Sequence, residues 1–168
     1  MARHDVEPAS LLLEVTESSI MADPDVAATA IGVLTEIGIR LSIDDFGTGY
    51  SSFGQLTQLP FSQIKIDRSF VSGLLASNSD RVIVHSITNL GRDLGLEVVA
   101  EGIEDASTLD ALARLGCDSA QGYHLSPPIP ARRLAEWARS FSAGGPEENG
   151  ALAGRPSADN VVLLADAS

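Results

Sequence analysis

Charged and amide side chains stand at or near the carboxyl ends of short apolar runs throughout this sequence. The eight of them are Glu14, Glu17, Asp44, Asp45, Lys65, Asp67, Glu101 and Gln121. The steps from 14 to 44, 44 to 65, 65 to 101 and 101 to 121 are 30, 21, 36 and 20 residues, each close to the length of one strand plus one helix. Because the carboxyl ends of parallel strands lie at one edge of a sheet, these side chains are expected to converge.

Several carboxylates at one edge of a sheet are the chemistry of a metal site. Such groups repel one another and their pKa values rise unless cations neutralise them. Oxygen ligands with no His or Cys in the pattern favour Mg²⁺ or Mn²⁺ over zinc. The neighbours Asp44 and Asp45 could serve two metal ions, but successive strand residues point to opposite faces, so the chain must turn there. Gly47 and Gly49 are suited to such a turn.

Lys65 is the single lysine among 11 basic residues. Its ammonium could hold a water molecule or a phosphate oxygen and offset the carboxylate charge. The simpler alternative is a salt bridge to Asp67 or to another carboxylate at the same edge. Glu17, taken alone, also has an ordinary explanation as an acidic residue at the start of a helix.

Short β-rich runs alternate with helical periodicity, which predicts an α/β fold with a parallel sheet. The predicted strands are residues 11–15, 40–44, 63–67, 96–100 and 119–123, and the predicted helices are residues 24–37, 80–94, 106–115 and 130–141. Asp23 before Pro24 predicts a helix start, and Gly38, Gly95 and Gly116 predict helix ends.

Composition narrows the class of protein. The chain has 168 residues, 44% of them hydrophobic, and a formal net charge of −12, which argues against binding duplex nucleic acid or an anionic membrane. No apolar stretch reaches the roughly 20 residues of a membrane span. Cys117, the only cysteine, cannot form an intramolecular disulfide and is predicted to be a small buried residue. A cytoplasmic location without membrane insertion is expected. Residues 1–142 are predicted to form one domain and residues 143–168 a disordered tail.

Five motifs, taken together, resemble one family. They are Glu14-Val-Thr-Glu17, Asp44-Asp-Phe-Gly-Thr-Gly-Tyr-Ser-Ser52, Lys65-Ile-Asp-Arg-Ser-Phe70, Val99-Ala-Glu-Gly-Ile-Glu104 and Gln121-Gly-Tyr123. In this order and spacing they closely resemble the EAL family of cyclic-di-GMP phosphodiesterase domains, from about Pro8 to Phe141. The resemblance implies a TIM-type barrel and hydrolysis of cyclic-di-GMP to linear pGpG by water held between two Mg²⁺ or Mn²⁺ ions.

The resemblance also implies roles for individual residues. Metal ligands would be Glu14, Asp44, Asp45 and Glu101. Glu101 would alternatively activate the water that Lys65 orients, and Gln121 and Asp67 would support the metal-bound water and its surroundings. Glu17 would anchor the loop at residues 46–52, with Phe46, Gly47, Thr48 and Gly49, which in the family gates metal binding and contributes to a homodimer surface.

One departure from the family is large. The family's barrel has three further strands before the strand of Glu14, and they carry the glutamate of the Glu-Ala-Leu signature and an asparagine that bind metal. The present chain is therefore expected to form an incomplete TIM-type (β/α) barrel of about five of eight βα units, inactive alone, with barrel-facing Leu13, Ile43 and Ile66 partly uncovered. A homodimer or an N-terminal partner segment would complete it. The alternative is a non-catalytic EAL-like regulator that binds the nucleotide or a protein.

Overall fold

A parallel sheet carries the candidate residues. The computed structural model describes residues 6–49 and 58–144, with side chains described to residue 141. The strands are β1 (Leu12–Thr16), β2 (Arg40–Phe46), β3 (Gln63–Ile66), β4 (Glu97–Ala100) and β5 (Ser119–Ala120). They are all parallel and lie in the order β1-β2-β3-β4-β5. The predicted number and kind of strands is confirmed, although β5 is shorter than expected.

Helices connect the strands and cover one face of the sheet. They are α1 (Glu17–Ala22), α2 (Pro24–Glu36), α3 (Arg68–Gly73), α4 (Asn78–Leu94), α5 (Ala106–Leu115) and α6 (Ala131–Gly144), and a 3-10 turn, Pro8–Ser10, precedes β1. Sequence periodicity missed α1 and α3, because a six-residue helix is too short to show a helical repeat. Among the described residues, the sheet with its helices is a partial barrel. The predicted tail at residues 143–168 lies almost wholly outside the described residues.

The helix ends follow their predicted chemistry. The Asp23 side chain accepts a hydrogen bond from the Val26 amide ahead of α2. Gly95 and Gly116 end α4 and α5 in the left-handed conformation, with φ of 69° and 85°, which glycine adopts without a Cβ penalty. These caps fix where each helix returns the chain to the sheet.

The two faces of the sheet differ in polarity. Register places Glu14 beside Ser42, Ser42 beside Gln63 and Gln63 beside Glu97. Because side chains alternate along a strand, the residues two positions further along β2 and β3, Asp44 and Lys65, are on this same polar face. The polar face corresponds to the interior of a barrel and the other face packs on the helices.

The expectation that Ile43 and Ile66 are partly uncovered is wrong. Ile43 is 1% and Ile66 0% exposed, and both belong to the core that the helices cover. They alternate with Asp44 and Lys65 along their strands and therefore point away from the barrel interior. Leu13, on the edge strand β1, is 40% exposed, as expected, but it alternates with Glu14 and so also lies on the face away from the barrel interior.

Helix α2 is apolar on more than its core side. Ile31 is buried in the core, yet Val26, Val33 and Ile37 are 63%, 57% and 52% exposed. A helix that is hydrophobic around much of its surface normally packs on more than one neighbour. Within the described residues, no strand pairs with the outer edge of β1 or of β5.

The described residues contain no helix with the length and hydrophobicity needed to cross a bilayer.

Cys117 provides a test of this fold. Its side chain is 8% exposed, its Sγ donates to the carbonyl oxygens of Val98 and Ser119, and burial, with nearby Asp118, raises the pKa of the thiol to about 12. Because the thiolate is the reactive form, a disulfide reagent near pH 8 should react slowly with the folded chain and rapidly in urea. Fast stoichiometric labelling without denaturant would contradict the described packing of β4 and β5.

Candidate active site

Lys65 lies at the centre of three carboxylates. Its Nζ is 2.6 Å from Glu101 Oε1, 2.8 Å from Glu14 Oε1 and 3.3 Å from Asp44 Oδ1. The Lys65 side chain is 2% exposed, whereas those of the three carboxylates are 18–26% exposed. The structure thus brings together four of the predicted residues, and Lys65 pairs with carboxylates other than Asp67.

The sheet explains this convergence. Glu14 lies in β1, Asp44 in β2 and Lys65 in β3, and Glu101 directly follows β4. Glu101 continues the strand pairing, because its backbone amide donates to the Ile66 carbonyl at 3.2 Å. Four successive parallel strands therefore deliver one charged side chain each to the same place.

The electrostatics of Lys65 and Glu101 are coupled. Burial would lower the pKa of Lys65, but hydrogen bonds and attraction from Glu101 and Glu14 outweigh it, so the pKa lies above its ordinary value. Burial raises the pKa of Glu101, with Asp44 and Glu14 adding to the rise, and the Lys65 ammonium opposes the shift. The lysine is therefore a permanent cation among groups that carry excess negative charge.

The turn required between Asp44 and Asp45 is present. The register slips by one residue between Ile43 and Phe46, so β2 contains a bulge opposite β3. Asp45 has φ of 55°, a left-handed conformation that Asp tolerates better than most residues. Its amide donates to Asp44 Oδ1 at 3.0 Å. The turn is made by Asp45 itself, ahead of the glycines to which the sequence pointed.

This turn brings Asp45 near other carboxylates. Burial raises the pKa of Asp45, and Asp44 and Asp67 raise it further, while Lys65 acts in the opposite direction. The predicted metal ligands Asp44 and Asp45 thus repel each other, and a bound cation would reduce this repulsion.

Asp67 also has a structural task at the start of α3. Its Oδ1 accepts hydrogen bonds from the amide and the hydroxyl of Ser69. Burial would raise the pKa of Asp67, but the hydrogen bonds from Ser69 outweigh it and the pKa is lowered. Asp67 therefore remains a carboxylate beside Asp45.

Glu17 contacts the loop after β2. It is 2% exposed, and its Oε2 accepts a hydrogen bond from the Gly47 amide at 2.9 Å. A Cβ on Gly49 would stand 2.7 Å from Glu17 Oε1, so glycine lets the loop approach this carboxylate closely. The Thr48 hydroxyl donates a hydrogen bond to the Asp45 carbonyl at 2.9 Å across this turn. Phe46 is 4% exposed; residues 50–52 of the predicted loop lie outside the described residues.

Gln121 follows β5 on the same side of the barrel. Its backbone N–H donates to the Ala100 carbonyl at 2.8 Å, and its backbone carbonyl accepts from the Ile103 N–H at 3.1 Å. Its side-chain Oε1 is buried and has no hydrogen-bond partner among the described residues. Buried polar atoms are nearly always paired, so this oxygen can accept from a ligand or a water molecule.

Sequence reasoning missed a second polar group on the same face, closer to the amino ends of the strands. Glu97 accepts from Gln63 Nε2 at 3.1 Å and from the Ser119 hydroxyl at 2.7 Å, and it pairs with Arg40 at 3.4 Å. Counting back in steps of two from Lys65 and Glu101 would have identified Gln63 and Glu97 as residues of this face. The group ties β2, β3, β4 and β5 together beneath the candidate site.

The donor set suits a hard divalent cation. Glu14, Asp44, Asp45 and Glu101 supply only oxygen, as Mg²⁺ and Mn²⁺ prefer. Within residues 6–49 and 58–144, however, no three acidic, His or Cys side chains are already arranged around a common metal position. The oxygen donors suit a divalent metal ion, but the carboxylates of Glu14, Asp44 and Glu101 are oriented toward Lys65.

A known protein family matches most of the chain. The family model for the EAL domain matches residues 1–128. This chain belongs to the EAL domain family. The α/β partial barrel and the ordered motifs are those expected of an EAL cyclic-di-GMP phosphodiesterase domain.

Curated EAL relatives from Pseudomonas aeruginosa are much longer than this chain. The chain is 48% identical over 134 residues to the bifunctional diguanylate cyclase/cyclic di-GMP phosphodiesterase MucR, covering 80% of this chain and 20% of MucR. It is 42% identical over 144 residues to the cyclic di-GMP phosphodiesterase NbdA, covering 83% and 18%. The chain therefore spans about a fifth of the length of these relatives.

Solved EAL structures share the fold. A MucR phosphodiesterase in complex with c-di-GMP matches with a TM-score of 0.76 and 48% identity, over 79% of this chain and 54% of that one. Klebsiella pneumoniae BlrP1, in complex with manganese and cyclic-di-GMP, matches with a TM-score of 0.69 and 34% identity, over 73% and 31%. The MucR structure contains c-di-GMP, and the BlrP1 structure contains cyclic-di-GMP together with manganese.

The contact between Glu17 and Gly47 yields a prediction for loop order. Replacing Glu17 with Ala removes the acceptor of the Gly47 amide, so this amide should exchange hydrogen faster, by about tenfold for the loss of roughly 1.4 kcal/mol. Glu17→Gln, which keeps an acceptor oxygen, should exchange nearly as slowly as the original chain. Hydrogen exchange read by mass spectrometry would measure this. Equal protection in the Ala variant would remove Glu17 as the loop anchor.

Proposed function

We propose that this chain supplies metal-binding and water-orienting residues of a two-metal EAL phosphodiesterase that hydrolyses cyclic-di-GMP to linear pGpG. The observation that carries the proposal is the gathering of Glu14, Asp44 and Glu101 within 3.3 Å of Lys65 by four successive strands. The relatives named above as phosphodiesterases of the same nucleotide, and the manganese complex of BlrP1, support it.

The proposed metal ligands are Glu14, Asp44, Asp45 and Glu101. Two bound Mg²⁺ or Mn²⁺ ions would supply the acidity that generates a nucleophilic hydroxide and stabilises negative charge on the phosphoryl group. The left-handed turn at Asp45 allows two adjacent carboxylates to serve one site. Asp67, held by Ser69, keeps a negative charge beside Asp45 and favours cation binding there.

The remaining polar groups would orient water and substrate. Lys65 can donate hydrogen bonds to the attacking water or to a phosphate oxygen, and Glu101 can accept the proton of that water. Gln121 offers its buried Oε1, which has no hydrogen-bond partner in the described part of the chain, as an acceptor for a water molecule. Water adds to phosphorus, one P–O bond of the ring breaks, and the leaving oxygen takes a proton.

Catalysis is proposed to require further βα units beside β1. Successive residues of an α-helix are rotated by about 100° around its axis. The exposed residues Val26 and Val33, with Ile37 just after the helix, therefore lie on one flank of α2, about 100° around the axis from the side that faces the core. Right-handed crossovers turn that flank to the side of β1 away from β2, where Leu13 is also exposed. An amphipathic helix and strand from an N-terminal partner segment or a second copy would cover both, and this chain alone is proposed to be inactive.

A non-catalytic EAL-like regulator is the second candidate. The observation in its favour is that the three carboxylates are engaged by Lys65, while the described residues contain no preformed metal cluster. Such a module would bind the cyclic dinucleotide or a protein without hydrolysing it.

A chimera separates the two candidates. Residues 1–128 of this chain would replace the matching region of the MucR phosphodiesterase, whose remaining strands complete the barrel. We expect Mn²⁺-dependent conversion of cyclic-di-GMP to pGpG by the chimera and none by the 168-residue chain, measured by chromatography of the nucleotides. In the chimera, Asp44→Asn and Glu14→Gln should each lower turnover at least about a hundredfold, because each removes a charged ligand.

Asp25→Asn is the matched control, since it removes an exposed carboxylate in the first turn of α2 and should leave turnover unchanged. A folded chimera that binds cyclic-di-GMP without hydrolysis would favour the regulator. Turnover that survives both site substitutions would exclude these residues as ligands.

A further inference from the structure

Lys65 has as many carboxylate neighbours as its ammonium has hydrogen-bond donors. A lysine ammonium has three N–H donors and no acceptor, and three carboxylate oxygens lie within hydrogen-bonding or ion-pairing distance of its Nζ, at 2.6, 2.8 and 3.3 Å. The side chain is 2% exposed, so bulk solvent has little access to it. Lys65 cannot hold an attacking water in this arrangement unless it gives up one carboxylate.

The carboxylates for their part are turned toward the lysine. Glu14, Asp44 and Glu101 direct one oxygen each to the same nitrogen, and Asp44 Oδ1 also accepts from the Asp45 amide at 3.0 Å. The part of the chain that the structure describes contains no set of three such groups placed around a common metal position. The oxygens that suit a divalent ion are therefore the ones that the ammonium occupies.

We infer that Lys65 is the internal counter-ion of the metal-free site, and that a divalent cation binds by taking carboxylates away from it. The inference rests on the proposed metal site. Bound metal and the ammonium repel each other, so contact of the carboxylates with one weakens their contact with the other. The displaced ammonium can donate to water or phosphate only once metal has bound.

Removal of the ammonium gives the first test. In Lys65→Met the three carboxylates lose their cation, which destabilises the metal-free chain and removes a repulsion felt by the metal. We expect Mn²⁺ to bind about tenfold more tightly or better, read from the resonance signal of free Mn²⁺. Unfolding in EDTA should occur at a lower temperature than in the original chain, and Mn²⁺ should raise that temperature by a larger increment.

Arg40→Met is the matched control. It removes one positive charge from the same sheet face, where Arg40 pairs with Glu97 and contacts none of the three carboxylates around Lys65. Its Mn²⁺ affinity should equal that of the original chain. Equal or weaker Mn²⁺ binding by Lys65→Met would overturn the inference and leave the metal site standing. Absence of Mn²⁺ binding by the original chain and the variant would overturn the inference, and absence of binding by the MucR chimera as well would overturn the proposed metal site.

A second measurement needs no substitution. Because Lys65 is the single lysine, ¹⁵N-lysine labelling gives one side-chain ammonium resonance. Addition of diamagnetic Mg²⁺ should shift that resonance and speed the exchange of its protons with water, as the carboxylate contacts open. An ammonium signal that stays unchanged while calorimetry records Mg²⁺ binding would overturn the inference, even if the Met variant failed to fold.

Discussion

The gathering of like charges at the carboxyl ends of four strands depends on one buried cation. Three carboxylates in a poorly solvated place repel one another, and they are stable together because an ammonium lies among them. Lys65 sits on the central strand of the sheet, and its partners come from both sides, so one side chain opposes the repulsion across β1, β2 and β4. A metal bound as proposed would have to compete with this interaction for the same carboxylates.

A difference in polarity between the two sheet faces makes this possible. The face toward the helices contains Ile43, Ile64 and Ile66, all buried, and it supplies the hydrophobic stabilisation of the sheet. The other face carries the polar residues in two tiers, the Glu97 group below and the Lys65 group above. Exposed apolar residues include Leu13 on β1 and Val26 and Val33 on α2, and further chain is proposed to pack on them.

Much of the fold could be predicted because its signals are local and repeated. Runs of β-branched residues, cap residues such as Asp23 and Gly95, and a step of 20–36 residues between charged positions predicted five parallel strands and the convergence of Glu14, Asp44, Lys65 and Glu101. The bulge at Asp45 could not be located, since nothing in a pair of aspartates says which one turns the chain. The helices α1 and α3 were too short for periodicity. The wrong assignment of Ile43 and Ile66 came from treating apolar strand residues as interior, although alternation with Asp44 and Lys65 required the opposite. The catalytic and metal-binding roles of the site residues stay predictions, as does the domain boundary at residue 142.

The position of Lys65 also has a consequence for the covalent chemistry of the protein. The side chain of the sole lysine is 2% exposed, and its ε-amine is held protonated by three carboxylates. Acylating reagents and modifying enzymes need a free, accessible amine. In the folded molecule, amine-directed cross-linkers and fluorophores have no lysine to attack. Acetyl or ubiquitin transfer to lysine would mark only molecules whose strands have already come apart.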